Sequence, residues 1–194
     1  MSQDHIQEMR FRQVEADVLL PAGWIEGTFV VPEAQSFQDF LEHAGAFLKL
    51  TDAAVPGHDE VVPFFAVQRG AVELIAPRTE DVQIGTAEAA APTAPWSISC
   101  LFHRGAVYGS LDFLMNLRLS DYLRQQSGFL LLRDASWVPI ASNPDRPRRW
   151  AAAFVNVPQV NGISEAVDQR GRGHPGRLEP PSEFELLDPP PSYA

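Results

Sequence analysis

Few side chains in this sequence stand at spacings that do chemistry. His58-Asp59-Glu60 puts three metal-ligating types in one stretch, but consecutive residues rarely point at one ion, so a solvated loop is expected. The other histidines, His5, His43, His103 and His174, form no His-x-x-x-His pair, and Cys100 is the only cysteine. Cys100 lies on an alternating apolar stretch, where a thiol is expected to be buried and inert. His103 sits in a turn and should be exposed. No phosphate-binding Gly-rich loop, dinucleotide fingerprint or Gly-x-Ser-x-Gly elbow is present. No metal, no cofactor and no catalytic residue is expected, and the chain reads as a non-enzyme.

Two pairs of carboxylates recur at one spacing: Asp39 with Asp121, and Asp52 with Asp134. A hydrolase needs its two acids across one cleft. These match between separate segments instead, which points to structural roles: helix-start charge for the first pair, turn or strand-end hydrogen bonding for the second. Arg146, Arg148, Arg149 and Trp150 form the one dense cationic-aromatic patch. Arginine suits bidentate contact with carboxylate or phosphate, and tryptophan is a common interface anchor. A solvated loop with Trp150 in the core is the alternative. In the Pro-rich C-terminal stretch, Phe184, Leu186, Leu187 and Tyr193 are the apolar points that a partner surface could take up. Pro190-Pro191-Ser192-Tyr193 also fits the short Pro-Pro-x-Tyr pattern read by WW domains, which recurs often by chance.

The elements that position these residues come from one stretch present twice. Ala16 to Ala53 and Ile98 to Ala135 align without a gap at an offset of 82 residues. Gly23 falls on Gly105, Gly27 on Gly109, Asp39 on Asp121, and Asp52 on Asp134. Such a repeat implies one small unit built twice.

Within each copy, an alternating apolar run precedes a turn at Pro21-Ala22-Gly23, and a second run, from Trp24 to Val31, contains Gly27. A glycine inside a strand marks a bulge or a sharp bend. Phe37, Phe40 and Leu41 stand at i, i+3 and i+4, the face of a short helix over 36–44, with Ser36 and Asp39 as a capping pair. Leu119, Tyr122 and Leu123 repeat that face, with Arg118 in place of the cap. Further strands are predicted over 47–55, 61–67 and 71–75. In the second copy, strands are predicted over 152–157 and 160–163. Five short strands with tight turns suit a small barrel. The predicted organisation is an N-terminal lead-in (1–13), a first small β-barrel unit (14–77), a linker (78–95), a second unit (96–164) and an extended Pro-rich tail (165–194). The fold class is mainly β: two tandem five-stranded barrel-like units, each with a short helix between its second and third strands.

The net charge of −10 is unevenly placed. Residues 1–95 carry 5 Lys/Arg against 15 Asp/Glu, residues 96–178 carry 10 against 6, and residues 179–194 carry 0 against 4. An acidic unit joined to a basic one favours electrostatic orientation on a partner. Nucleic acid is disfavoured, because phosphate contacts need concentrated positive charge. No apolar run approaches the roughly 20 residues that span a bilayer. The start of the sequence has no secretory signal pattern, so a cytoplasmic location is expected.

Gly105-Ala-Val-Tyr-Gly109-Ser-Leu-Asp112-Phe-Leu-Met115-Asn116-Leu resembles the first motif of Sm-like proteins, and Val67-Gln-Arg69-Gly70-Ala-Val-Glu-Leu-Ile75 resembles their second. The resemblance implies a strongly bent five-stranded barrel. The two motifs lie in different units, and Arg69-Gly70 stands in the acidic one, so RNA binding is not carried over. The expected function is non-catalytic: an interaction or scaffolding protein. It would be a peripheral accessory subunit of a larger assembly, including one that docks on the exposed face of a membrane complex. Its contacts would be the basic second unit and the tail. A small-ligand or regulatory module with a pocket between the units is the alternative.

Overall fold

A computed structural model describes residues 10–79, 93–114, 118–140 and 145–165, with the side chain of Leu114 undescribed. The linker residues 80–92 and the tail residues 166–194 lie outside the described residues, and with them Phe184, Leu186, Leu187 and Tyr193, whereas Glu165, expected to open the tail, ends a strand. The chain is mainly β. Its strands are β1 (Phe11–Leu20), β2 (Gly23–Pro32), β3 (Phe47–Ala54), β4 (Val62–Gln68), β5 (Leu74–Pro77), β6 (Thr93–Leu101), β7 (Gly105–Leu114), β8 (Phe129–Pro139), β9 (Arg148–Asn156) and β10 (Gly162–Glu165). Helix α1 (Phe37–His43) lies between β2 and β3, and α2 (Leu119–Arg124) between β7 and β8. Both helices fall where the apolar spacing places them.

The described strands form one antiparallel sheet in the order β10-β6-β7-β8-β9-β5-β1-β2-β3-β4. The five strands of the first half are contiguous, as are the five of the second, and they join where β5 pairs β9 through Leu74↔Val155 and Ile75↔Phe154. The strands therefore run on in a single sheet rather than in two separate ones. β5 can do this because one of its edges bonds β1 and the other is left for β9.

Several boundaries move. β1 begins at Phe11, three residues before the expected start, because it pairs with β2 all the way to Pro32. β6 begins at Thr93 and runs through Pro95. Pro95 is tolerated because β10 pairs only with Ile98–Leu101, so that edge of β6 needs no donor there. β5 starts at Leu74 rather than at 71, because Arg69–Ala71 forms a 3-10 turn closed by Val72 N donating to Arg69 O. The matching turn Val157–Gln159 precedes β10.

The recurring residues occupy recurring geometry. Asp52 and Asp134 are the non-glycine residues with positive φ among those described, at 51° and 48°. They lie inside β3 and β8, not at turns or strand ends as the sequence suggested. At each, the third strand carries one extra residue against the second: Glu26 and Thr28 face Ala54 and Thr51, while Tyr108 and Ser110 face Ser136 and Arg133. Aspartate tolerates the left-handed conformation that such a bulge needs, and the bulge bends the strand. Gly27 and Gly109 face these bulges. A Cβ on Gly27 would stand 3.0 Å from Leu50 Cδ2, and one on Gly109 3.0 Å from Leu132 Cβ. Gly23 closes the β1–β2 turn at φ 133°, and a Cβ on Gly105 would lie 2.6 Å from the Trp137 ring. Ser36 caps α1: its Oγ accepts from Asp39 N at 3.0 Å and donates to Asp39 Oδ2 at 2.6 Å. Arg118 gives α2 no side-chain cap, and Asp121 supplies charge in its first turn.

Two apolar cores result, and they exchange residues. Leu19, Trp24, Leu74 and Ala76 of the first half pack into the core of the second. Phe129 and Phe154 of the second half pack into the core of the first, where the Phe154 ring meets Phe37 edge-on at 5.4 Å. Replacing Asp52 with valine should cost about 1–3 kcal/mol, the scale of a strained backbone site. Replacement with glycine should cost little. Denaturant titration of the two variants tests this, and equal losses would contradict a conformational role.

Candidate functional site

The seam between the halves gathers the densest set of polar groups. β1 brings Asp17, whose register partners are Glu26 on β2 and Ala76 on β5. β9 brings Arg148, Arg149 and Trp150, opposite Trp137, Ser136 and Ala135 of β8. Arg78 follows the end of β5. Asp17 is only 4% exposed. A buried carboxylate costs several kcal/mol unless it is paired and hydrogen-bonded. Here Arg78 Nε donates to Oδ1 at 2.6 Å and Trp150 Nε1 to Oδ2 at 2.9 Å. Arg78 also pairs with Asp17 through its NH2 at 2.5 Å, and Arg148 NH1 lies 3.1 Å from Oδ2.

Glu26 extends the cluster, 2.6 Å from Arg78 and 3.4 Å from Arg148. The Arg78 hydrogen bond holds its carboxyl below the usual carboxylate value, against a smaller opposing effect of burial. The Arg148 guanidinium lies over the Trp24 ring, 4.7 Å from its centroid. Trp24 in turn packs edge-on against Trp137 at 5.6 Å and beside Trp150 at 5.5 Å. A cation held this way over an indole contributes about 0.5–2 kcal/mol.

The cationic patch read from the sequence is therefore divided. Arg148 and Trp150 bind the protein to itself. Arg146 and Arg149 are exposed and hold no ion pair among the described residues. Arg149 and Trp150 line an open cleft of about 310 Å³ whose other walls are Asp17, Pro77, Arg78, Thr79, Ala151 and Ala152. The cleft thus takes its walls from both halves. Asp17, Trp24, Glu26 and Arg78 were not singled out in the sequence. The one signal was an acid inside the apolar run Ala16-Asp17-Val18-Leu19.

A second buried acid, Glu73, immediately precedes β5. Its Oε2 has no hydrogen-bond partner among the described residues, and burial pushes its carboxyl above the ordinary value of 4.5, with Arg104 and His103 opposing. Cys100 is fully buried, and burial pushes its thiol up to about 12. His58, Asp59 and Glu60 are exposed in a loop. Among the described residues, no group of three or more His, Cys, Asp or Glu is placed to hold a metal ion.

Comparison with protein-family models, with curated proteins and with solved structures finds no match to this chain.

Asp17→Asn should destabilise the chain by about 1–3 kcal/mol, because Arg78, Arg148 and Trp150 lose a buried charged acceptor while Glu26 still pairs with both arginines. Chemical denaturation measures this, and a loss below about 1 kcal/mol would show that the clamp is dispensable. Glu73→Gln should act in the opposite direction. A carboxyl raised in the folded state costs stability once pH exceeds its unfolded value, so the variant should melt higher than wild type at pH 7. The gap should close as pH falls below about 4.5. Melting curves across that range check the sign.

Proposed function

We propose that this chain is a non-catalytic interaction protein, a peripheral accessory subunit of a larger assembly. Its halves are two tandem small barrel-like units of the Sm-like kind, fused edge to edge. In support, each half runs its strands in one order, fifth-first-second-third-fourth, and carries its helix and its left-handed aspartate at one place. The docking surface is the exposed Arg146 and Arg149 beside Trp150, together with the C-terminal stretch 165–194.

The observation that carries this reading is the state of those arginines. Arg148 is taken by Asp17 and Glu26, whereas Arg149 stands exposed and lines the cleft. Guanidinium groups in that setting suit carboxylates or phosphates on a partner surface. The tail would cover a long path and lose its conformational freedom on binding, which lowers affinity per unit of area. No described helix is long and apolar enough to cross a membrane. Docking on the exposed face of a membrane complex needs none.

The cleft itself favours a second reading, a small-ligand module. It is walled by both halves, and Arg78, Arg149 and Trp150 are among its lining residues. An anion of the size of a phosphate ester would suit it.

Arg146→Glu with Arg149→Glu, which leaves Arg148 in place, should reduce co-purification of a stoichiometric partner by roughly tenfold or more. Loss of one or two charged contacts worth about 1.5–3 kcal/mol each sets that scale. Partner recovery from the double variant equal to wild type would sink the docking surface. A melting shift of the wild-type chain on adding organic phosphates, absent in the double variant, would favour the second reading.

A further inference from the structure

The two ends of the sheet are not equivalent to each other, but each is equivalent to one side of the seam. Elements up to β3 and β8 correspond at 82 residues, and those from β4 and β9 onward correspond at 88. The 3-10 turn at Arg69 maps on that at Val157, and the start of β5 at Leu74 on that of β10 at Gly162. Backbone bonds follow the same rule: Arg69 N donates to Ala46 O, as Val157 N does to Gly128 O. Glu73 N donates to Leu19 O, as Asn161 N does to Leu101 O. At the seam, a fourth strand (β9) pairs with a fifth strand (β5). The unpaired edges of the described sheet are the other fourth strand, β4, and the other fifth strand, β10.

Two exposed apolar side chains follow this correspondence. Phe129 is buried at the seam, 3% exposed, while its counterpart Phe47 beside β4 is 58% exposed. Leu19 is buried on the opposite side of the seam at 0%, while its counterpart Leu101 beside β10 is 50% exposed. Each end thus bares the residue that its equivalent covers inside the chain. Edge strands with unpaired groups template further pairing, and the halves they belong to carry opposite charge balances.

We infer that β4 of one copy of this chain pairs antiparallel with β10 of a second copy, repeating the seam between molecules and covering Phe47 and Leu101. The register carries over from Ile75↔Phe154 and Leu74↔Val155, giving Ile163↔Ala66 and Gly162↔Val67 across copies. The Asn156 amide that donates to Val72 O at 2.7 Å is replaced by the amide of Gln68. The charged clamp is not repeated: Glu60 stands in the place of Arg148 and Ser99 in that of Asp17. The contact between copies is therefore weaker than the seam and dissociates on dilution. It is heterologous, so it extends to a ring or a filament according to its rotation.

This inference rests on the equivalence of the two halves and not on any foreign partner, so loss of partner docking leaves it intact. Light scattering of the full chain over a concentration series should show mass rising above the monomer. Phe47→Glu blocks one end and Leu101→Glu the other, at exposed positions that the fold does not need. Each variant alone should be monomeric, and an equimolar mixture should give a one-to-one dimer and nothing larger. In a second mixture, Ala66→Cys with Ile163→Cys should form a disulfide-linked dimer that neither gives alone. A wild-type chain that stays monomeric at its highest soluble concentration overturns the inference. So does either glutamate variant dimerising by itself, which would mean like edges pair.

Discussion

Everything in this structure depends on how β5 is held between β1 and β9. The ladder across the seam is short, with Leu74↔Val155 and Ile75↔Phe154 as its pairs. Each such backbone bond contributes only about 0.5–1.5 kcal/mol net, far too little to fix two halves of a sheet at one angle. The angle is fixed by what lies around the ladder. Asp17, buried, draws Arg78 from its own half and Arg148 and Trp150 from the other. Trp24 fills the space beneath the Arg148 guanidinium and against Trp137. On the other side Asn156 donates to Val72 O, and Gln159 Nε2 to Gly70 O, so the 3-10 turn before β5 is tied to the end of β9.

That clamp explains why the cores exchange residues. If β5 carried only its own half, Leu74 and Ala76 would end at an edge. Because β9 continues the sheet, they enter the second core while Phe129 and Phe154 enter the first. Neither half can leave the other without baring large apolar surface, at about 25 cal/mol per Å². The bulges at Asp52 and Asp134 supply the remaining constraint. By bending β3 and β8 they turn each half around its own core, and α1 covers the first of these with Phe37 and Leu41.

Much of this was legible in the sequence. The period-two runs, the i, i+3, i+4 faces of both helices and the 82-residue offset locate most elements within a few residues. What was not legible has physical causes. Pro95 reads as the end of the linker, yet it lies within β6, on a stretch of edge that β10 does not reach. Asp52 reads as a turn residue, because aspartate in a left-handed conformation usually is one; here the same tolerance serves a bulge inside a strand. Arg148 reads as part of a surface patch, since its partners Asp17 and Glu26 are more than a hundred residues away. Only the β5–β9 pairing brings them together, and no local pattern announces it. The two exposed arginines, by contrast, lie in the patch that the sequence marked.

The halves differ at the places where they meet. Trp24 has Ala106 as its counterpart, Glu26 has Tyr108, Asp17 has Ser99, Arg148 has Glu60 and Trp150 has Val62. Some counterparts keep their type: Gly27 and Gly109, Asp52 and Asp134, Leu48 and Leu130. One unit geometry is therefore compatible with two kinds of edge. Where an edge must never open, it carries a buried charge, two arginines and an indole, whose loss leaves uncompensated charge. Where it stays open, it carries the exposed acid Glu60, the small or neutral residues Ser99, Val62 and Ala106, and a solvated apolar side chain, whose covering is favourable by about 1.5–3 kcal/mol at most. The seam belongs to folding, and the ends are suited to association that is set by concentration and partner.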